Sequence, residues 1–162
     1  MAGRSKRFWL MKSEPDVYSI RHLQKQQRGE WDGVRNHRAK NYMKNEMAVG
    51  DLVLFYHSNA DPPGVAGVAR VCREAHPDPT QFDPKSQYYD PKSSEENPRW
   101  WLVDVEFVEE LPSFLPLGLL REQPELEGMM LLKKGMRLSV QPVDKTHFKR
   151  ILQLGRAKTR VR

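Results

Sequence analysis

The chain has 162 residues, of which 38% are hydrophobic and 30% charged, enough for one globular domain that buries a core without metals or cross-links. Its single cysteine, Cys72, excludes an internal disulfide framework and fits a reducing intracellular compartment, and no apolar run approaches the roughly 18 residues of a membrane span. The net charge of +6 is concentrated in Arg4, Lys6 and Arg7 at one end and Arg156, Lys158, Arg160 and Arg162 at the other. Residues 1–7 and 156–162 thus read as basic arms that either grip phosphates or are simply solvated, flanking a nearly neutral domain over 8–155. Within that domain Arg21, Lys25, Arg28, Arg35, Arg38, Lys40 and Lys44 face only Glu30 and Asp32, which makes this segment the internal candidate for phosphate binding.

In chain order, Phe8-Trp9-Leu10-Met11 predicts a short buried strand ending at Lys12-Ser13-Glu14-Pro15, too short to be the apolar core of a secretory leader. Ser19 is placed to cap a short helix through Ile20 and Leu23, ended by Gly29. The loop Trp31-Asp32-Gly33-Val34-Arg35-Asn36 leads into a second helix, where Ala39, Met43 and Met47 recur four apart as one apolar core stripe. Gly50-Asp51 opens an apolar strand from Leu52 to Tyr56, and Val65 to Cys72 predicts its partner across Pro62-Pro63-Gly64. Cys72 is then a small strand residue rather than a nucleophile. Residues 76–98 carry five prolines and no periodicity, but Phe82, Tyr88 and Tyr89 favour an ordered flap over a linker. Trp101, Val103, Val105 and Phe107 alternate with Asp104 and Glu106, predicting a strand with Trp101 facing the core. Leu138 to Val143 predicts another strand, and Asp144 or Thr146 caps a last helix that buries Phe148, Ile151 and Leu152 and stops at Gly155. With no βαβ rhythm and no repeat, the fold class is α+β, a small, mostly antiparallel sheet curled towards a barrel with flanking helices.

The five histidines and Cys72 show no zinc-ligand spacing, and His76 with Asp78 supplies too few donors, so no metal is expected. The absence of G-x-G-x-x-G and Walker-type loops leaves no cofactor to expect either. Three polar clusters follow apolar elements instead: Lys12-Ser13-Glu14, Trp31 to Asn36, and Tyr56-His57-Ser58-Asn59. Brought together, they would offer an indole, hydroxyls, an amide, an imidazole and both charge signs, an inventory suited to stacking on a nucleobase and reading its edge. Taken singly, Trp31 reads rather as a core tryptophan, and Arg35 as an ion-pair partner of Asp32 or Glu14.

These blocks carry a resemblance. Trp9 to Pro15, Trp31 to Asn36, Phe55-Tyr56-His57-Ser58 and Leu138-Ser139-Val140-Gln141-Pro142 are similar, in order and spacing, to the EVE-domain family. Gly64 to Ala69 and Phe82-Asp83-Pro84-Lys85 extend the similarity, which runs from about Arg7 to Gly155. The resemblance implies a PUA-like barrel related to YTH domains, and a reader of modified cytosine in DNA, with RNA as the other candidate partner. It implies Trp31 as a cage aromatic, joined by Tyr56, Tyr88 or Tyr89. Ser13, Asn36, His57 and Ser58 would read the base edge, Lys12 and Arg35 would meet phosphate or base, and Ser139 and Gln141 would form the opposite wall. Glu14 and Asp32 complete the set.

The resemblance thus implies a binding protein rather than an enzyme. The alternative is a hydrolase of modified nucleobases or nucleosides, as among ASCH-type relatives, with Lys12, Glu14 and His57 supplying acid–base chemistry. Compared with eukaryotic members of the family, the chain lacks a long basic N-terminal extension. A bacterial cytoplasmic location is expected on that ground, and a nuclear one if the source is eukaryotic.

Overall fold

The computed structural model describes residues 5–162, so Arg4, the first cation of the N-terminal arm, lies outside the described residues. Six strands form one curled sheet: β1 (Phe8–Ser13), β2 (Arg28–Glu30), β3 (Leu52–His57), β4 (Gly64–Pro77), β5 (Trp101–Pro116) and β6 (Val140–Val143), in the order β2-β5-β4-β3-β1-β6. All neighbours are antiparallel except β1 and β3, which run parallel from Phe8↔Leu52 to Ser13↔His57. Four register shifts between β4 and β5 bend these long strands and curl the sheet.

Helices cover both faces, which is why β3 is apolar throughout rather than alternating. On one face Phe8, Leu10, Leu52, Leu54 and Tyr56 pack beneath α3 (Leu117–Arg121) and α4 (Lys145–Leu154), through Leu120, Phe148, Ile151 and Leu152. On the other, Trp9, Met11, Val53 and Phe55 pack against α1 (Ile20–Gln26) and α2 (His37–Asn41). The approach of α1 is close enough that a Cβ on Gly67 of β4 would lie 2.5 Å from the Ile20 side chain.

The expected Ser19 cap is present, its hydroxyl accepting from the His22 N–H; Asp144 holds the N-cap position of α4 but its side chain makes no capping hydrogen bond there. Ala39 and Met43 are buried as the stripe predicts, although the helix loosens into a π-turn over Tyr42–Glu46. Other expectations are corrected. Gly29 does not end α1; the chain turns at Gln27, with φ of 68°, and Gly29 pairs with Val105 inside β2. β5 continues past Phe107 to Pro116. Trp100, not Trp101, is the buried tryptophan of that stretch, and Trp101 is half-exposed beneath the Lys44 ammonium at 4.8 Å. No described helix is long and apolar enough to cross a membrane.

Candidate nucleic-acid interface

The parallel β1–β3 pair brings two of the three polar clusters to one end of the sheet. Ser58 donates its backbone N–H to the Ser13 carbonyl at 3.0 Å, and the Asn59 amide donates to the Glu14 carboxylate at 2.7 Å. The Lys12 N–H donates to the Ser139 carbonyl at 2.8 Å, drawing in the approach to β6. The pleat then divides the candidates, because register partners share a face and neighbours do not. Ser13 and His57 project to the α1–α2 side, with Phe55, whereas Lys12 and Tyr56 project to the α3–α4 side. Gln141 is the partner of Leu10 and belongs with Lys12; it is buried, its Nε2 donates to the Leu138 carbonyl, and its Oε1 has no hydrogen-bond partner among the described residues.

His57 is a defined donor. Its Nε2 accepts the Ile20 backbone N–H at 3.1 Å, so the ring proton of the neutral form sits on Nδ1. Burial holds its pKa below the ordinary histidine value, with Glu110 opposing and Arg21 reinforcing that shift. On the far face the Lys12 ammonium donates to the Met136 carbonyl at 3.3 Å and lies 5.7 Å from the Tyr56 ring centroid. Burial likewise lowers its pKa.

The third cluster reaches the same face of the sheet through Trp31, which packs on Phe55, the ring that His57 also meets edge-on at 5.7 Å. The indole is only 6% exposed, meets Phe55 edge-on at 5.3 Å, and faces Tyr18 at 6.3 Å. Trp31 is therefore continuous with the core and offers solvent only a rim. Asp32 follows at that rim; lost solvation, and then the carboxylates of Asp78 and Glu30, hold its pKa above the usual range. Tyr18, which the sequence reading does not single out, closes this side, its hydroxyl donating to Gln26 at 2.7 Å.

Arg35 turns inward, whereas Asn36 stays exposed with its side-chain oxygen engaged in a helix cap. Arg35 donates from Nε and Nη2 to the Tyr88 carbonyl, from Nη1 to Asp78 and the Val34 carbonyl, and from Nη2 to Thr80. All five N–H donors of the guanidinium are thereby taken, and it clamps the flap rather than awaiting a phosphate. Asn36 caps α2, its Oδ1 accepting from the Ala39 N–H at 3.0 Å.

The flap is ordered by the same network. Asp78 is 1% exposed and also accepts the N–H groups of Gly33 and Thr80. Gln81, fully buried, donates to the Asp78 and Trp100 carbonyls and accepts from the Arg99 and Trp100 N–H groups. Tyr88 lies flush on Gly33, where φ is +80° and a Cβ would come within 2.6 Å of the ring. Neither a side chain nor an ordinary φ is available there.

Apart from Lys25 in the last turn of α1, the cations of the basic segment separate into two groups. Arg21 pairs with Glu110, Arg28 donates to the Cys72 carbonyl, and Arg35 pairs with Asp78. Arg38, Lys40 and Lys44 form no carboxylate ion pair among the described residues, and burial followed by repulsion from Lys44 and Arg99 lowers the Lys40 pKa. His37, at the start of α2, stacks on Trp100 at 4.5 Å. Arg38 and Lys44 lie over the Tyr42 and Trp101 rings, at 5.8 and 4.8 Å, and with Lys40 they make α2 and the following π-turn a positive surface without ion pairs among the described residues.

The fold also gathers donors that sequence spacing does not reveal. Glu30, His76 and Asp104, from β2, β4 and β5, place their donor atoms within 4.8 Å of one another. They already engage each other and a cation: His76 Nε2 meets Asp104 at 2.8 Å, and Arg73 lies 3.8 Å from the same carboxylate.

Residues 7–154 match the model of the EVE domain. The chain belongs to the EVE-domain family. Thymocyte nuclear protein 1 of Homo sapiens is 39% identical to this EVE protein over 90% of the chain and 72% of its own length. A crystal structure of the human THYN1 protein in complex with 5-methylcytosine-containing DNA is 39% identical, with a TM-score of 0.87 over 95% of this chain and 100% of that one. A hypothetical protein from Leishmania major is 46% identical, with a TM-score of 0.89 over 94% and 96% of the two chains. An ASCH protein from Zymomonas mobilis, 9% identical at a TM-score of 0.52, shares the fold alone.

Proposed function

We propose that this EVE domain reads a modified base in DNA, of the 5-methylcytosine class, and that it does so by binding without catalysis. The observation that carries the reading is the complex of its 39% identical relative with 5-methylcytosine-containing DNA. The interface supports it chemically. The α2 cations hold the backbone, and the extruded base meets the rim formed by Trp31, Asp32, Ser13 and His57. The Asp32 carboxylate accepts from the exocyclic amino group of cytosine, the hydrogen bond by which acidic side chains select that base. The Nδ1–H of His57 and the hydroxyl of Ser13 supply donors for the remaining acceptors. Unstacking costs a few kcal/mol. The 6% exposure of Trp31 allows rim contact rather than full-face stacking, so phosphate contacts must supply much of the affinity.

The hydrolase reading needs Lys12 and His57 to act on one substrate. Their side chains leave opposite faces of the sheet, which weighs against it.

The test compares binding of matched duplexes carrying cytosine or 5-methylcytosine. Because Trp31→Ala would cut about 3–5 kcal/mol from a packed core, Asp32→Asn at the exposed rim is the sharper variant. A preference for the modified duplex in the wild type, with binding of both duplexes weakened about tenfold or more in Asp32→Asn because the amino group is common to the two bases, supports the reading. Equal binding of both duplexes by both proteins would reject it.

A further inference from the structure

We propose that the C-terminal segment builds a second phosphate site, which grips the phosphodiester backbone of nucleic acid away from the base-reading rim. The inference rests on the reading above only for its class of partner. Its observations are separate.

The tail is folded back, not left in solvent. Ala157 is 7% exposed and donates to the Leu152 carbonyl, and Arg156 turns the chain at φ of 60°. The Glu109 carboxylate of β5 then accepts the N–H groups of Lys158 and Thr159, at 3.1 and 2.8 Å, and the Thr159 hydroxyl. Between tail and α4 this folding encloses a cleft of about 500 Å³. Lys149, Arg156 and Arg160 line it, together with the polar side chains of Gln153 and Thr159, and no carboxylate is among its lining residues. None of the three cations forms an ion pair among the described residues; Arg160 is oriented by donating to the Ala157 carbonyl at 2.9 Å. A concave surface holding three unpaired cations on a fixed frame is complementary to successive phosphates.

Its place makes it distinct. Leu152 and Ala157 belong to the core on the α3–α4 side, whereas Trp31 and its neighbours belong to the α1–α2 side. Arg156 and Arg160 also lie beyond residue 154, where the match to the family model ends.

The experiment measures binding of matched unmodified and 5-methylcytosine-containing DNA duplexes across a salt series, using the full chain and a Lys149→Gln/Arg156→Gln/Arg160→Gln variant whose thermal unfolding is checked alongside. Each phosphate contact contributes about 0.9 to the slope of log K against log salt. We expect the slope to fall by about 2–3 units, with any preference for a modified base retained. An unchanged slope overturns the proposal. So does displacement of the duplex by polyglutamate as effectively as by competitor DNA, which would make the cleft an acidic-peptide site. A reduced slope in a protein with no base preference would leave this site standing and remove the base-reading one. If the triple variant fails to fold, Lys149→Gln, on the exposed side of α4, carries the same test with a fall of about 0.9.

Discussion

Arg35 and Lys40 lie five residues apart in one basic segment and have opposite fates. Arg35 is enclosed by the flap with every donor taken, while Lys40 sits on α2 under repulsion from Lys44 and Arg99, with no ion pair among the described residues. The first cation is a structural part and the second an available charge. Charge counted along a sequence therefore overstates the surface that can meet a phosphate, and the excess is whatever the fold pairs internally.

The contrast breaks most visibly at the clamp. Arg35→Ala leaves the Asp78 carboxylate buried without its cation and frees the Tyr88 carbonyl, so we expect a loss of about 3–5 kcal/mol in urea unfolding. If Arg35→Ala instead keeps its stability and lowers the salt dependence of DNA binding, the two roles are reversed. The α2 patch should behave oppositely. Lys40→Gln with Lys44→Gln should leave stability within about 0.5 kcal/mol and lower the slope of log K against log salt by about 1.8. A slope equal to wild type would show that this surface does not touch DNA.

The smallest effect concerns His57. Its folded-state pKa lies below the ordinary value of about 6.5, because burial disfavours the imidazolium. The unfolded chain therefore takes up the proton first as the pH falls. The stability from keeping this ring neutral is complete above the unfolded value, and is lost as the pH drops through the interval down to the folded one. Unfolding measured between pH 7 and 5 should show this decline in the wild type and a shallower one in His57→Gln. Identical slopes would mean that the ring is not protected from protonation.

The elements with strong local signals were legible in the sequence. Ser19 before Ile20, the Ala39–Met43 stripe, and the Phe148, Ile151 and Leu152 face each state their structure through neighbours a few residues away. What escaped depends on distant partners. β2 is three residues with no apolar alternation, and exists because Arg28, Gly29 and Glu30 pair with β5. Trp100 is inward because its indole N–H reaches Asp90 at 2.7 Å and its backbone meets Gln81. For the site, the residue types were readable but their grouping was not. Adjacent residues of one strand, Lys12 and Ser13, part to opposite faces, and Asp78, which organises the loop, lies more than forty residues beyond it.

The parallel pairing of β1 with β3 has a consequence for how such a protein can change. Parallel neighbours cannot be joined by a tight turn, so the chain must depart after Ser13 and return at Leu52 by a long excursion. That obligatory detour carries Tyr18, the Trp31–Asp32 rim and the α2 cations. Altered selectivity can thus arise largely within one contiguous cassette, swapped or lengthened between two strands that never have to move.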